Sequence, residues 1–208
     1  MSTPHLTYNG VRVSFGGSTL SYGDPLNPLG LPPYTVRVKF KSGYSPSSQT
    51  DVTHTLVDAT ENIWDYYKYQ NSNTFNGLLR NDVNLLEVLG ANTSGVTDMS
   101  YMFANCSALT TVPVFDTSSV TTTSYMFNNC TSLTTVPLFD TSSLVIMARM
   151  FYYCTAVESG ALALYTQAST QATPPTNHSY TFKNCGINTT TGAAELAQIP
   201  SNWGGTMS

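Results

Sequence analysis

Charge is scarce in this chain. Asp, Glu, Lys and Arg make up 10% of its 208 residues, against about 25% in typical soluble proteins. Eight Lys+Arg face twelve Asp+Glu for a net charge of −4, and the basic residues (Arg12, Arg37, Lys39, Lys41, Lys68, Arg80, Arg149, Lys183) are scattered. That distribution leaves no electrostatic footprint for nucleic acid. The nearest approach to a basic run, Arg37, Lys39 and Lys41, reads as the solvated face of an alternating strand. Long apolar runs are missing too. Nothing approaches the ~18 residues that a membrane span needs. The opening MSTPHLTYNGVRVSFGG has no basic n-region, apolar h-region or lipobox-like Cys, so no export signal is expected. An extracellular-looking composition on a chain without such a signal points to a virus particle, whose proteins are made in one cell and work outside it.

The usual catalytic signatures are also missing. There is no G-x-S-x-G, no H-E-x-x-H and no phosphate loop, which removes the nucleophile elbow, the helical zinc site and the nucleotide cradle. No C-x-x-C pair exists, and His5, His54 and His178 do not accompany the cysteines at ligand spacing. Zinc, other metals and cofactors are therefore not expected. Paired carboxylates for glycoside cleavage depend on a spatial separation that no sequence states. What the chain does have is 41% hydrophobic residues, enough for a core.

Its dominant feature is a 24-residue repeat. SYMFANCSALTTVPVFDTSSVTT from Ser100, SYMFNNCTSLTTVPLFDTSSLVI from Ser124 and ARMFYYCTAVESG from Ala148 align without gaps. Met102, Met126 and Met150 recur at this interval, as do Phe103, Phe127 and Phe151, and Cys106, Cys130 and Cys154. Leu109, Leu133 and Val157 follow, then Val112 with Val136, Pro113 with Pro137, Phe115 with Phe139 and Asp116 with Asp140. Upstream, Leu78, Leu79, Leu85 and Val88 keep the register, with Asp82 where Cys106 would be and Asn92 where Asp116 would be. A degenerate, more polar first unit suits a terminal cap. Downstream, YTFKNC (Tyr180 to Cys185, including Phe182) restarts the pattern after 31 residues. The extra residues are assigned to a protruding loop at about 160–178, on the Thr/Gln richness and Pro174-Pro175 of LYTQASTQATPPTNHS. AELAQIPSNWGG is expected to close the open end, with Trp203 over the last unit.

Within a unit, Leu-Thr-Thr-Val-Pro-x-Phe alternates and reads as a short strand with limited ladder bonding at Pro. Asp-Thr-Ser-Ser reads as a turn held by side chains on backbone amides. S-x-M-F-x-x-C reads as one helical turn pointing apolar groups inward. The expected fold is thus a leucine-rich-repeat-like solenoid, with a short strand and a single helical turn in each 24-residue coil. The Met-Phe-Cys triads and Phe182 and Cys185 form its buried core ladder. In that setting the cysteines are small buried hydrophobes, expected to be reduced rather than disulfide-bonded.

The unit Val96-Thr97-Asp98-Met99-Ser100-Tyr101-Met102-Phe103-Ala104-Asn105-Cys106-Ser107-Ala108-Leu109 resembles BspA-type leucine-rich-repeat surface proteins, in the branch reading V-T-x-M-x-x-M-F-x-x-C-x-x-L. The resemblance covers about residues 77–208. It implies an adhesive or host-contacting surface protein, of a kind found in bacterial envelopes and encoded by bacteriophages, with no catalytic residues to carry over.

The first third lies outside the repeat. Leu6, Tyr8, Val11, Val13 and Phe15 around Asn9-Gly10 suggest a hairpin, and Asp24-Pro25 through Pro32-Pro33 reads as a linker. TVRVKFK from Thr35 is the clearest strand, with Val52, His54 and Leu56 as its candidate partner. The expected organisation is an attachment arm over 1–33, a small β-rich cap over 34–76 and the repeat over 77–208.

Candidate binding residues are aromatic. Trp64, Tyr66, Tyr67 and Tyr69 suit a carbohydrate platform, since flat rings with polar tips serve interfaces. The competing and preferred reading packs them under the first unit. Tyr152 and Tyr153 replace Ala/Asn and Asn of earlier units at a position expected to face outward, and mark a second contact patch. Asp116 and Asp140 could line up for Ca²⁺, but turn capping explains them without an ion.

These features lead to a non-enzymatic bacteriophage virion protein (head fibre, tail or decoration component) as the expected function. The arm would join other virion proteins, a homo-oligomer is expected, and the repeat would contact a host-surface glycan or protein. A bacterial cell-surface adhesin is the alternative, and a carbohydrate-active enzyme on the same scaffold a second one.

Overall fold

The computed structural model describes residues 5–8, 11–14, 27, 29–47, 52–68 and 73–207. Two strands, β1 (His5–Tyr8) and β2 (Val11–Ser14), pair antiparallel with Tyr8 opposite Val11. They form a two-stranded sheet of their own. The linker expected over 24–33 lies mostly outside the described residues.

A four-stranded antiparallel sheet follows, built from β3 (Thr35–Phe40), β4 (Val52–Asp58), β5 (Ile63–Lys68) and β6 (Leu85–Asn92), in the order β4-β5-β3-β6. In β3 the alternation works as read. Val36, Val38 and Phe40 are buried, while Arg37 and Lys39 turn outward to Asp65 (2.6 Å) and Glu61 (2.5 Å). The pairing of β3 with the 52–58 segment is corrected: β5 lies between them. A short turn decides this. Asp58 Oδ1 accepts from the amides of Thr60 and Glu61, and Asn62 takes a left-handed φ of 54°. The chain therefore folds straight back into β5, whose aromatic residues favour strand.

The expected leucine-rich-repeat-like solenoid is also corrected. The regular structure of the described residues is this small antiparallel sheet with two short helices. The repeat units contribute neither a strand nor a helical turn apiece. Two local features explain why. Pro113 and Pro137 have no N–H to offer a ladder, and their segments make only isolated bridges, Glu87↔Thr111 and Thr135↔Ser159. The first unit has Leu89 where later ones have proline. There the segment becomes β6, which pairs along β3. The sheet thus draws a strand from beyond residue 76. In the Met-Phe-Cys stretch, left-handed residues recur four apart: Tyr101 (φ 59°) and Asn105 (63°), then Tyr125 (58°) and Asn129 (60°). Left-handed backbone cannot continue a right-handed helix.

The amides alternate as a result. Met102 and Ala104 N–H close turns onto the carbonyls of Met99 and Tyr101. Tyr101, Phe103 and Asn105 N–H donate instead to Ser124, Met126 and Asn128 of the next unit (2.9, 2.9 and 2.7 Å). The same alternation links the units at 124–129 and 148–153 to their successors. Threonine hydroxyls add to it, as Thr110 donates to Leu86 O and Thr134 to Thr110 O (3.0 and 3.2 Å). Successive units therefore lie one on another. Phe103, Phe127, Phe151 and Phe182 stack in sequence, their ring centroids 5.3, 5.1 and 6.0 Å apart. Met102, Met126, Met150, Cys106, Cys130, Cys154 and Cys185 are buried with them in one continuous cluster that also takes in Val36, Phe40 and Tyr66 of the sheet.

The protruding loop at 160–178 is the third correction. Residues Ala161–Thr170 form helix α1, with Ala161, Leu164 and Ala168 buried on one face. Its Thr/Gln content hid that spacing. Gly160 starts it at φ 96°, where a side chain would strike the Val136 carbonyl. Glu195 of α2 (Thr190–Leu196) caps the orphan amides by accepting from Leu162 N at 3.1 Å and Gly160 N at 3.3 Å. At the far end of the chain, Trp203 is 5% exposed, stacks on His178 at 3.9 Å and accepts from Phe182 N.

Candidate functional site

The aromatic platform expected on β5 does not assemble. Trp64 and Tyr66 point to the same side of the strand, but Tyr66 is fully buried, packed between Phe40 (6.0 Å) and His54 (5.6 Å). This corrects Tyr66 as a binding residue, and burial pushes its phenol far above the ordinary tyrosine range. Trp64 is half-buried, donates to Asn62 Oδ1 at 2.8 Å and packs on His54. Tyr67 faces the other side, where it meets Asp65 at 3.3 Å. Burial, with Asp65 beside it, raises its pKa to about 12. Tyr69 lies outside the described residues.

Tyr152 and Tyr153 are placed differently. Their rings are 4.7 Å apart, and Tyr153 is 41% exposed. They belong to a stripe that runs across the units on the turns carrying the left-handed residues. One row holds Tyr101, Tyr125, Arg149 and Tyr180, all at φ between 55° and 59°. The rings of Tyr101 and Tyr125 stack at 4.7 Å, inclined by 8°. The Arg149 guanidinium lies 5.3 Å from the Tyr125 ring, 5.9 Å from Tyr152 and 5.5 Å from Tyr180, and donates to the Tyr125 hydroxyl. At the other end, Arg80 covers Tyr101 at 4.7 Å.

The second row holds Asn81, Asn105, Asn129, Tyr153 and Asn184, each left-handed. Asn105 Nδ2 donates to Asn81 Oδ1 (2.7 Å), and Asn129 Nδ2 to Asn105 Oδ1 (3.3 Å). Asparagine is among the few residues that enter this backbone region readily. Tyr153 interrupts the amide row, and Asn184 resumes it. The row of tyrosines was legible in part, as Tyr101 and Tyr125 repeat at the same interval as the core anchors. Arg149 and Tyr180 were not, because the residue type changes and the interval lengthens to 31.

On another side of the stack, Val114, Leu138, Asp116, Asp140, Gln167 and Gln171 line an open groove of about 670 Å³. Here the turn-capping geometry is explicit: Asp116 Oδ1 accepts from the Ser118 amide (2.9 Å) and hydroxyl (2.6 Å), and Asp140 Oδ1 from the Ser142 amide (2.8 Å). Among the described residues no group of His, Cys, Asp and Glu is arranged to hold a metal ion. The cysteines are free and buried. The thiols of Cys106, Cys130 and Cys154 donate to the carbonyls of Leu79, Phe103 and Phe127 at 3.0–3.1 Å. Burial raises the pKa of Cys106 to about 12 and those of the others well above the usual thiol range, so thiolate chemistry is suppressed.

With this geometry in view, the comparisons fall into place. The model of the family described as "Mycoplasma protein of unknown function, DUF285" matches residues 59–189. The chain belongs to that family. DUF285 is a family of BspA-like repeats, and its match reaches from the β4–β5 turn to the start of α2. No curated protein and no solved structure matches. No helix among the described residues is long and apolar enough to cross a membrane.

Proposed function

We propose that the protein is a non-enzymatic recognition protein, whose tyrosine–arginine–asparagine stripe contacts a surface glycan. One observation carries this reading: the stripe is an uninterrupted run of stacked rings flanked by a row of side-chain amides. Tyrosine rings offer sugars an apolar face at low entropic cost, and amides supply donors and acceptors beside it. The stripe needs no catalytic group, and the carboxylates of the Val114–Leu138 groove are engaged in holding their own turns. Immobilised bacterial capsular polysaccharides test the reading. The protein is expected to bind at least one of them and release no new reducing ends on prolonged incubation, and substituting Tyr125 and Tyr180 by Ala should weaken that binding at least tenfold. Binding unaffected by that pair, or a steady rise in reducing ends, would overturn it.

In this reading the chain acts on a bacteriophage particle, joined to other virion proteins through the segment that carries β1 and β2. Support comes from the surface-type repeat and from the hairpin being a separate sheet. Mass spectrometry of purified virions should detect the chain, and its absence there would remove the virion placement without touching the glycan reading.

A further inference from the structure

We infer that the ligand of the stripe is an acidic glycan, and that Arg149 is the residue that selects its anionic group; this rests on the stripe being the glycan-binding face. The chain as a whole carries a net charge of −4, yet the stripe reverses that sign. The turn segments 77–81, 100–106, 124–130, 148–154 and 179–185 contain Arg80, Arg149 and Lys183 and no Asp or Glu. Asp82, the nearest acid in sequence, is held elsewhere, by the Tyr44 hydroxyl at 2.9 Å. The ion pairs among the described residues are Arg37–Asp65 and Lys39–Glu61, on the sheet. Arg149 has no carboxylate partner there.

Arg149 stands in the row where the two preceding units have tyrosine, with rings of Tyr125, Tyr152 and Tyr180 around it. Rings occupy the faces of a guanidinium and leave its edges for hydrogen bonds. One N–H is spent on the Tyr125 hydroxyl, and the remaining donors form a fork suited to a carboxylate or a phosphate. The flanking rings also lower the local dielectric and hold the side chain in place, which strengthens a charge-assisted bond. A neutral glycan would leave this fork without a partner. An acidic one satisfies it, while its sugar rings lie along Tyr101 and Tyr180.

The test compares paired ligands. Uronic-acid-containing capsular polysaccharide is measured by biolayer interferometry before and after chemical reduction of its carboxyl groups, and teichoic acid before and after removal of its phosphates. The full-length protein is expected to bind one native ligand at least tenfold more tightly than its neutralised partner, with affinity falling as salt rises. Whichever pair shows the preference identifies the anion. Arg149→Gln should abolish the preference while keeping weak binding to the neutral form, and Arg149→Lys should restore part of it. Thermal melting of both variants checks that the stack is intact. Equal binding to native and neutralised forms, or a preference that survives Arg149→Gln, would overturn the assignment to Arg149 and leave the glycan reading standing. Failure of the wild type to bind any of these ligands, charged or neutral, would overturn both.

Discussion

Replacing Tyr153 by asparagine separates stability from recognition at a single position. Tyr153 sits at φ 60°, and its counterparts Asn81, Asn105, Asn129 and Asn184 sit at 67°, 63°, 60° and 59°. Left-handed backbone costs most L-residues about 1–2 kcal/mol, and asparagine visits it routinely. Tyr153→Asn should therefore recover roughly 0.5–1 kcal/mol of that strain. It also extends the amide row beyond Asn129, where each exposed hydrogen bond contributes about 0.5 kcal/mol. Against this stands the loss of the Tyr152 ring contact, centroids 4.7 Å apart and planes 51° apart. Such pairs contribute about 0.5–1.5 kcal/mol, and the lower end applies because Tyr153 is 41% exposed. The balance is a gain of about 0.5–1 kcal/mol, or about 1–4 °C in Tm for a chain of this size. Urea denaturation followed by circular dichroism measures the stability, and interferometry with the bound polysaccharide measures the affinity, which should fall at least threefold. A variant that is more stable and binds as well as the wild type would refute the idea that Tyr153 is kept for contact. A variant destabilised by more than about 1 kcal/mol would refute the strain argument itself.

Phe127 touches Phe103, Phe139 and Phe151, so Phe127→Ala should cost about 3–5 kcal/mol in urea unfolding; a loss below about 1 kcal/mol would mean that the stack is not the core. The native protein should resist alkylation by iodoacetamide at pH 8, since burial lifts the thiol of Cys106 to about 12 and the others higher, and all 4 cysteines should react after denaturation. Prompt labelling of the native protein would contradict the burial of Cys106, the thiol next to Asp82. Burial works against ionising Asp98, but the Ser100 amide and hydroxyl, the Asn76 amide and the Thr74 hydroxyl outweigh it and lower its pKa. A depressed carboxylate contributes stability above its unfolded pKa of 3.8 that is lost as pH falls through the lower folded value. Asp98→Asn should therefore flatten the acid limb of the stability curve below about pH 4, and an unchanged limb would exclude this carboxylate as its source.

How far the sequence reached depends on which forces fix each element. The 24-residue interval determined which side chains are buried, because Met102, Phe103 and Cys106 recur with their equivalents in a chain that has little else apolar to stack. It also determined the turns, since Asp116 and Asp140 act through amides two residues away. The strand at 35–40 was legible from its own alternation. The backbone path within a unit was not. Tyr101 and Asn105 are left-handed because their amides bond to the next unit, a partner that lies 23 residues away and that no local pattern announces. The sheet order was likewise decided by competition among strands, with β5 taking the place expected of β4. Helix α1 escaped notice because its buried residues are mostly alanines among Thr and Gln, and its N-terminus is capped by Glu195 from a distant helix. The candidate site divides in the same way. Tyr152 and Tyr153 could be picked out as departures from the repeat, while Tyr66 could not be assigned to the core without knowing that β3 and β5 share a face. The assembly of Arg149 with Tyr125, Tyr152 and Tyr180 belongs to the tertiary structure alone, because a 31-residue step brings Tyr180 into the row only after α1 has folded between the units.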